Sequence, residues 1–280
     1  MKTKLFFTSF FVVAISASAK AQTDSVPVTE NNKSQFRIGA FYNSALNYYG
    51  RTDSLKSSGF FPVTEWWLTK NFYLTATPVF VNNASSSFKY AGTVATAGFQ
   101  FIDKKWFTNI SFIKPFYQTD AQLVQSVLKG QAMMTVSFVN NYLNLTAGGD
   151  VKFSDKIDYG VTAGVDHIYR HQFGSNCVFV ADPSAYVYAG SQQFSHSYLK
   201  KSNFLIFPTV EETLSEKAKA FNILSFEFSM PLILSKGKFQ LLVTPAYVFP
   251  QNLVTVPDRP DLSESGKKMF YITAGTKITL

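Results

Sequence analysis

Apolar and polar residues alternate through most of the chain between residues 36 and 280, with the two-residue period of a β-strand whose faces meet different surroundings. In the segment 270–280, Phe270 and Ile272 share one face and Lys277 lies on the other. The same period runs through 143–153, 157–166, 224–234 and 239–249. The unbroken stretches are about ten residues long and end in large aromatic residues, as tilted strands that cross a bilayer do. The pattern therefore predicts an all-β fold, a transmembrane antiparallel up-and-down β-barrel, rather than a soluble β-sandwich.

The connections between these strands alternate in length, and the alternation predicts the number of strands. Short turns are expected at 69–71, 103–105, 154–156, 200–202 and 235–237. Longer connections are expected near 50–59, 83–87, 118–130, 173–184, 211–218 and 251–266. Six long and five short connections predict about twelve strands with both termini on one side. Ten or fourteen strands are also compatible with the sequence, because 131–153 is too long for one strand and 203–210 contains Pro208. A bulge within 131–153 keeps twelve strands, whereas a turn at 140–141 would add one.

The first residues have the pattern of a secretory signal peptide. Lys2 and Lys4 precede the apolar run 5–15, and the small-residue motif Ala-Lys-Ala follows at 19–21. An apolar run of this length is too short for a transmembrane helix. We therefore expect a cleaved signal peptide at 1–21, a polar periplasmic linker at 22–35 and the transmembrane barrel at 36–280.

Composition narrows the class of protein further. The chain is 46% hydrophobic and 16% aromatic but only 16% charged, against roughly 25% charged in an ordinary soluble domain. A mean hydropathy of +0.02 excludes a polytopic helical membrane protein, and the high apolar content excludes a disordered chain. The single Cys177 excludes an internal disulfide. Basic residues are scattered rather than clustered, so no nucleic acid partner is expected.

The chain resembles the porin-like outer-membrane β-barrel proteins of Gram-negative bacteria, of functionally unassigned type. The shared features are a signal peptide, a dozen amphipathic strands with aromatic ends, short turns containing Lys or Asp, and a C-terminal strand with one apolar face. The resemblance covers 36–280 and is architectural. It implies the cell outer membrane as the location. It also implies contact with outer-membrane lipid and lipopolysaccharide, insertion by the barrel assembly machinery, and no cofactor. The chain ends in Leu280 rather than in the aromatic residue that many such barrels present to that machinery.

The histidines do not form a recognisable catalytic or metal site. His196 lies between Ser195 and Ser197, but adjacent residues of a strand point to opposite faces, and no G-x-S-x-G elbow occurs. His167 and His171 share a face, but four strand residues place them about 13 Å apart, too far to bind one ion. We therefore expect no enzyme activity and no metal, with an outer-membrane lipid hydrolase as the least favoured alternative.

The charged residues on the polar face of the strands are the candidate functional residues. The register predicts that nine line the lumen: Arg37, Glu65, Asp150, Lys152, Asp158, Asp166, Arg170, Glu227 and Lys277. Burying an unpaired charge costs several kcal/mol, so these side chains must pair or face water. Asp150, Lys152 and Asp158 flank one short turn and are expected to form a cross-strand cluster.

Two functions remain open from the sequence. The favoured one is a narrow, weakly selective channel for small hydrophilic solutes. The alternative is a closed barrel with a structural or interaction role, acting through external loops such as 118–130 and 251–266. A barrel of about twelve strands lies between filled eight-stranded barrels and open sixteen-stranded porins, so its size does not decide between them.

Overall fold

The computed structural model of the protein describes residues 34–103, 105–202, 218–255 and 263–280. The expected signal peptide at 1–21 lies outside the described residues and stays a prediction, as does the expected linker apart from its last two residues. Among the residues described, no helix is long and apolar enough to cross a membrane.

The fold is a closed antiparallel sheet. Its strands are β1 (Gln35–Asn43), β2 (Ser58–Trp67), β3 (Phe72–Asn83), β4 (Ser86–Asp103), β5 (Trp106–Tyr117), β6 (Gly130–Phe138), β7 (Asn144–Phe153), β8 (Ile157–Asp166), β9 (Tyr169–Phe173), β10 (Cys177–Ala181), β11 (Ser184–Gly190), β12 (Asn222–Ser229), β13 (Leu232–Lys236), β14 (Phe239–Pro250) and β15 (Met269–Thr279). A 3₁₀ turn (Val124–Val127) follows β5, and helix α1 (Gln193–Ser202) follows β11. Strand β1 pairs with both β2 and β15, which closes the barrel.

Fifteen segments make twelve barrel strands because three strands are interrupted. Each interrupted strand consists of two consecutive segments: β8 with β9, β10 with β11, and β12 with β13. The breaks lie at 167–168, 182–183 and 230–231. Two of these breaks contain a proline, Pro183 and Pro231, which cannot donate a hydrogen bond to the ladder. The predicted closed antiparallel barrel of about twelve strands is confirmed.

Several predicted connections are wrong, although the strand count is right. Of the two alternatives for 131–153, the structure has the turn, because the Asn140 side chain accepts hydrogen bonds from the backbone N–H groups of Tyr142 and Leu143. The expected long connection at 173–184 is a three-residue turn at 174–176, so Cys177 begins β10 rather than lying in a loop. The expected turn at 200–202 is the end of helix α1.

The strand count is kept because the turn between β6 and β7 adds a strand, and the absence of the predicted turn at 200–202 removes one. The short segment 203–210 lies outside the described residues. The short connections β2–β3, β4–β5, β6–β7, β9–β10 and β13–β14 lie at the same end of the barrel as the start of β1 and the end of β15. We call this end the turn end and the opposite end the loop end. In outer-membrane barrels the short turns are periplasmic.

The outer surface of the barrel is apolar, with aromatic residues toward both ends. Trp66 and Trp106 are about half exposed near the turn end, and Phe116 and Tyr159 are more exposed near the loop end. Such a surface, with aromatic girdles at two levels, suits a bilayer rather than water. The alternation read from the sequence therefore identifies the lipid-facing side.

The inner surface is closely packed, and some of its rings lie on glycines of the next strand. A Cβ atom added to Gly98 would lie 2.2 Å from the ring of Tyr73, and one added to Gly164 would lie 2.2 Å from the ring of Tyr186. Glycine is needed at both positions because the rings lie directly on the backbone. An apolar cluster also lies inside, with members Phe41, Phe61, Val63, Val79, Val94, Ile113, Val180, Ile233 and Leu242.

Candidate functional site

The nine sequence-predicted charged residues all lie on strands and are mostly buried. Seven are buried: Arg37, Glu65, Lys152, Asp158, Asp166, Glu227 and Lys277. Asp150 and Arg170 are partly buried. That they line an aqueous lumen stays a prediction, but the structure brings most of them into two clusters.

The turn-end cluster joins three neighbouring strands. Lys277 Nζ of β15 donates to Glu65 Oε1 of β2 at 2.6 Å, and Arg37 Nη1 of β1 lies 3.8 Å from Glu65 Oε2. The Arg37 guanidinium also lies 5.0 Å from the centre of the Trp67 ring, and Arg37 Nη2 donates to Gln35 Oε1 at 2.9 Å. Two bases share one carboxylate, so this cluster carries a net positive charge.

The loop-end cluster contains the predicted Asp150, Lys152 and Asp158, but not as one ion-paired group. Lys152 forms an ion pair with Asp150, and its Nζ lies 5.5 Å from the centre of the Tyr49 ring. Asp158 lies directly opposite Lys152 in the strand register. Its carboxylate accepts three hydrogen bonds from the segment that leads into α1.

Asp158 holds helix α1 on the barrel. Its Oδ1 accepts hydrogen bonds from the Ser191 hydroxyl, at 2.6 Å, and from the Gln193 N–H, at 2.7 Å. Its Oδ2 accepts one from the Phe194 N–H, at 2.8 Å. A carboxylate at this position satisfies the first free N–H groups of the helix and opposes its dipole. Asp158 therefore acts as an N-cap supplied by a strand.

The other predicted residues make separate contacts. The amide of Asn144 donates to Asp166 at 2.6 Å, and the hydroxyl of Tyr271 donates to Glu227 at 3.1 Å. Arg170 lies on β9, close to the turn end.

Loops fold over the barrel at the loop end, and we call them the cap. Tyr48 and Tyr49 of the β1–β2 loop pack against Phe194 of α1, with ring centres 4.7 and 6.4 Å apart, respectively. Val124 and Leu128 of the β5–β6 loop join this buried cluster, so the loop predicted at 118–130 turns inward. Burial raises the pKa of the Tyr48 and Tyr49 hydroxyls well above their usual value.

Arg51 ties the cap together, and sequence analysis did not identify it. The side chain is 1% exposed. Its Nε donates to Glu264 Oε1 at 2.9 Å, and its Nη2 donates to Gln192 Oε1 at 2.5 Å. Arg51 also donates to the backbone carbonyls of Tyr49, Leu224, Gln251 and Asn252. A single arginine in a loop has no periodic pattern, so no feature of the sequence distinguished it.

The strand register also connects the two charged clusters. The pairs of opposite residues can be followed around the barrel, with the β5–β6 register extended by one residue. They lead from Phe173 of β9 back to Ile157 of β8, on the same composite strand and sixteen residues nearer the loop end. A row of opposite residues therefore climbs from one end of the barrel to the other, as the stagger of a closed barrel requires. One such row, which we call the polar row, is Arg37, Glu65, Thr75, Thr96, Ile113, Gln131, Lys152 and Asp158.

The middle of the polar row has polar atoms without partners. Thr75, Thr96 and Gln131 are at most 6% exposed. Their hydroxyls and both amide atoms of Gln131 have no hydrogen-bond partner among the described residues. Buried polar groups in proteins are nearly always bonded to protein or to ordered water. These atoms therefore mark places where water or a polar solute would be stabilised.

The histidines lie in different elements of the fold. Ser195, His196 and Ser197 lie on helix α1, so the strand argument against their pairing is wrong. Neighbouring helical residues still project about 100° apart. His167 Nδ1 donates to a backbone carbonyl, and the His171 ring packs on Phe173. Within the described part of the chain, no group of three or more metal-binding side chains occurs.

No family model and no curated protein matches the chain. Solved structures of similar architecture include the KdgM porin, with a TM-score of 0.47 and 8% identity over 86% of this chain and 98% of that one. An outer membrane channel from Pseudomonas putida F1 has a TM-score of 0.47 and 9% identity, covering 92% and 100%. LpxR from Salmonella typhimurium has a TM-score of 0.46 and 9% identity, covering 87% and 99%. At these values the likeness carries no argument about activity.

Proposed function

We propose that this protein is an outer-membrane barrel that lets small hydrophilic solutes diffuse through its interior as a narrow, weakly selective channel. The observation that carries the proposal is the polar row, which places charged, hydroxyl and amide side chains inside the barrel from the turn end to the loop end. Replacing buried ion pairs by packed apolar residues is often neutral or stabilising. Stability alone therefore does not account for a charged interior.

In this proposal, the arrangement described above is the closed form of the channel. The cap covers the loop end, and Arg51 links three of its connections through Glu264, Gln192 and backbone carbonyls. Solute entry requires these contacts to separate. The barrel wall itself need not move.

The close packing of the interior favours a second candidate, a closed barrel that acts through its loops. Large rings such as Tyr73 and Tyr186 fill space on the inner face, and Glu65 and Lys152 are 1% exposed or less. A structural barrel would keep this packing permanently. The two candidates differ in whether any solute crosses.

The test is transport by the purified, refolded protein. Proteoliposomes would be assayed for swelling in glycerol, and planar bilayers for conductance in KCl, with insertion confirmed by protease protection. Solute uptake or discrete conductance steps are expected. Silence in both assays, for the native chain and for an Arg51→Ala variant, would overturn the channel and favour the closed barrel.

A further inference from the structure

We propose that the polar row is a path for water and small uncharged hydrogen-bonding solutes, such as polyols, in preference to ions. This inference rests on the proposed channel and specifies its solute class. Its basis is the chemistry of the middle of the row, where Thr75, Thr96 and Gln131 lie between the two charged clusters.

The polar side chains in the middle of the row lack hydrogen-bond partners among the described residues. These groups are the Thr75 and Thr96 hydroxyls and the Gln131 amide. A buried group of this kind is destabilising until a donor or acceptor reaches it. Hydroxyls and amides both donate and accept, so water or a polyol hydroxyl satisfies each group in either direction.

The middle of the row carries no charged side chain. The charged residues lie toward the ends of the row, and they are already engaged: Lys277 with Glu65 at the turn end, and Lys152 with Asp150 at the loop end. The stretch between them offers an ion no opposite charge to replace its hydration shell. An ion pays a large desolvation cost in such surroundings, whereas an uncharged polyol exchanges its hydrogen bonds with water for similar ones with the wall.

Apolar residues also line the inner face of the barrel. Val180 and Leu242 lie inward on β10 and β14, and Phe41 and Val63 lie inward on β1 and β2, which carry the row. These side chains offer no hydrogen bonds to a solute. A hydrogen-bonding solute that follows the row therefore passes beside these surfaces without bonding to them.

Ile113 interrupts the row between Thr96 and Gln131. Its side chain is buried and has no polar atom, so a solute loses hydrogen bonds as it passes. We expect this residue to be the main barrier along the path. The substitution Ile113→Thr would extend the row without a break.

The experiment compares glycerol uptake by proteoliposomes with KCl conductance for the native chain and four variants. Thr96→Val and Gln131→Leu should each slow glycerol uptake about five-fold, the effect of one lost hydrogen bond, and Ile113→Thr should accelerate it. Thr64→Val is the matched control, because Thr64 lies on the outward face of β2 beside Glu65. It should change nothing. Folding of each variant would be checked by its heat-dependent mobility on a denaturing gel.

The outcomes separate the inference from the proposed function. Slower glycerol uptake in the two row variants and faster uptake in Ile113→Thr, with conductance low throughout, support the uncharged path. Ion conductance with glycerol uptake unchanged by all three row variants would overturn the inference and leave the channel standing. If neither glycerol nor ions cross, even after Arg51→Ala, both proposals fail.

Discussion

Replacing Arg51 by alanine should loosen the cap. In the native chain, the guanidinium is 1% exposed and lies 2.9 Å from Glu264 Oε1. The substitution removes this contact but leaves the Glu264 carboxylate buried, since the Glu264 side chain is only 3% exposed. The carboxylate still accepts a hydrogen bond from the Val254 N–H group. Several backbone carbonyls lose their donor at the same time.

The size of the effect follows from these losses. Removing one partner of a buried ion pair costs about 3–5 kcal/mol. Taking the lower figure and about 1.4 kcal/mol per tenfold change, the ratio of open to closed caps should rise more than a hundredfold. By contrast, an exposed ion pair contributes about 0–1 kcal/mol. Lys89→Ala, which breaks the exposed pair with Asp120 at the same end of the barrel, is therefore a matched control.

Two independent assays measure whether the cap is open. Protease cleavage of the β1–β2 loop in intact proteoliposomes should be much faster in Arg51→Ala than in the native chain or in Lys89→Ala. Glycerol uptake should rise in the same variant. If Arg51→Ala matches the native chain in both cleavage and uptake, Arg51 does not hold the cap, and the closed form has another cause.

Three further predictions concern single contacts. Glu65→Gln leaves two bases without their carboxylate, so we expect unfolding at lower urea concentration and a reversal potential shifted toward anions; unchanged values would refute the ion pairs. Asp158→Asn should destabilise the N-terminus of helix α1 by about 1 kcal/mol. Proteolysis after β11 should therefore be faster in this variant than in an Asp155→Asn control. Burial raises the pKa of Tyr48 and Tyr49, so their contribution to cap stability is complete below their ordinary pKa near 10 and is lost as the pH rises above it. Glycerol uptake should therefore stay constant up to about pH 10 and increase above it, and a flat profile above pH 10 would contradict this.

The alternation of side chains predicted the faces of the strands because each strand meets lipid on one side. It placed Phe270 outward and Lys277 inward, as the structure does. It did not determine the path of the chain where local hydrogen bonds decide it. Asn140 forms a turn through its own side chain, and the segment 193–202 forms a helix whose first N–H groups are capped by Asp158, far away in sequence.

The candidate site was predictable only in part. Parity identified the charged residues of the row, including Glu65 and Lys152, because each strand gives its own inward positions. It did not give the order of those residues across strands, which depends on the stagger of the closed sheet. The uncharged members Thr96 and Gln131 were missed because many hydroxyl and amide residues share the inward face. Arg51 was missed because loops have no period.

The most direct test of solute passage through the interior is modification of a cysteine placed in the polar row. The free Cys177 would first be replaced by serine, and Thr96→Cys or its outward neighbour Ala95→Cys would be added. An uncharged hydrophilic methanethiosulfonate reagent should slow glycerol uptake in the Thr96→Cys protein and leave the Ala95→Cys protein unaffected. Uptake that continues at the same rate after complete modification at residue 96 would contradict passage along the row.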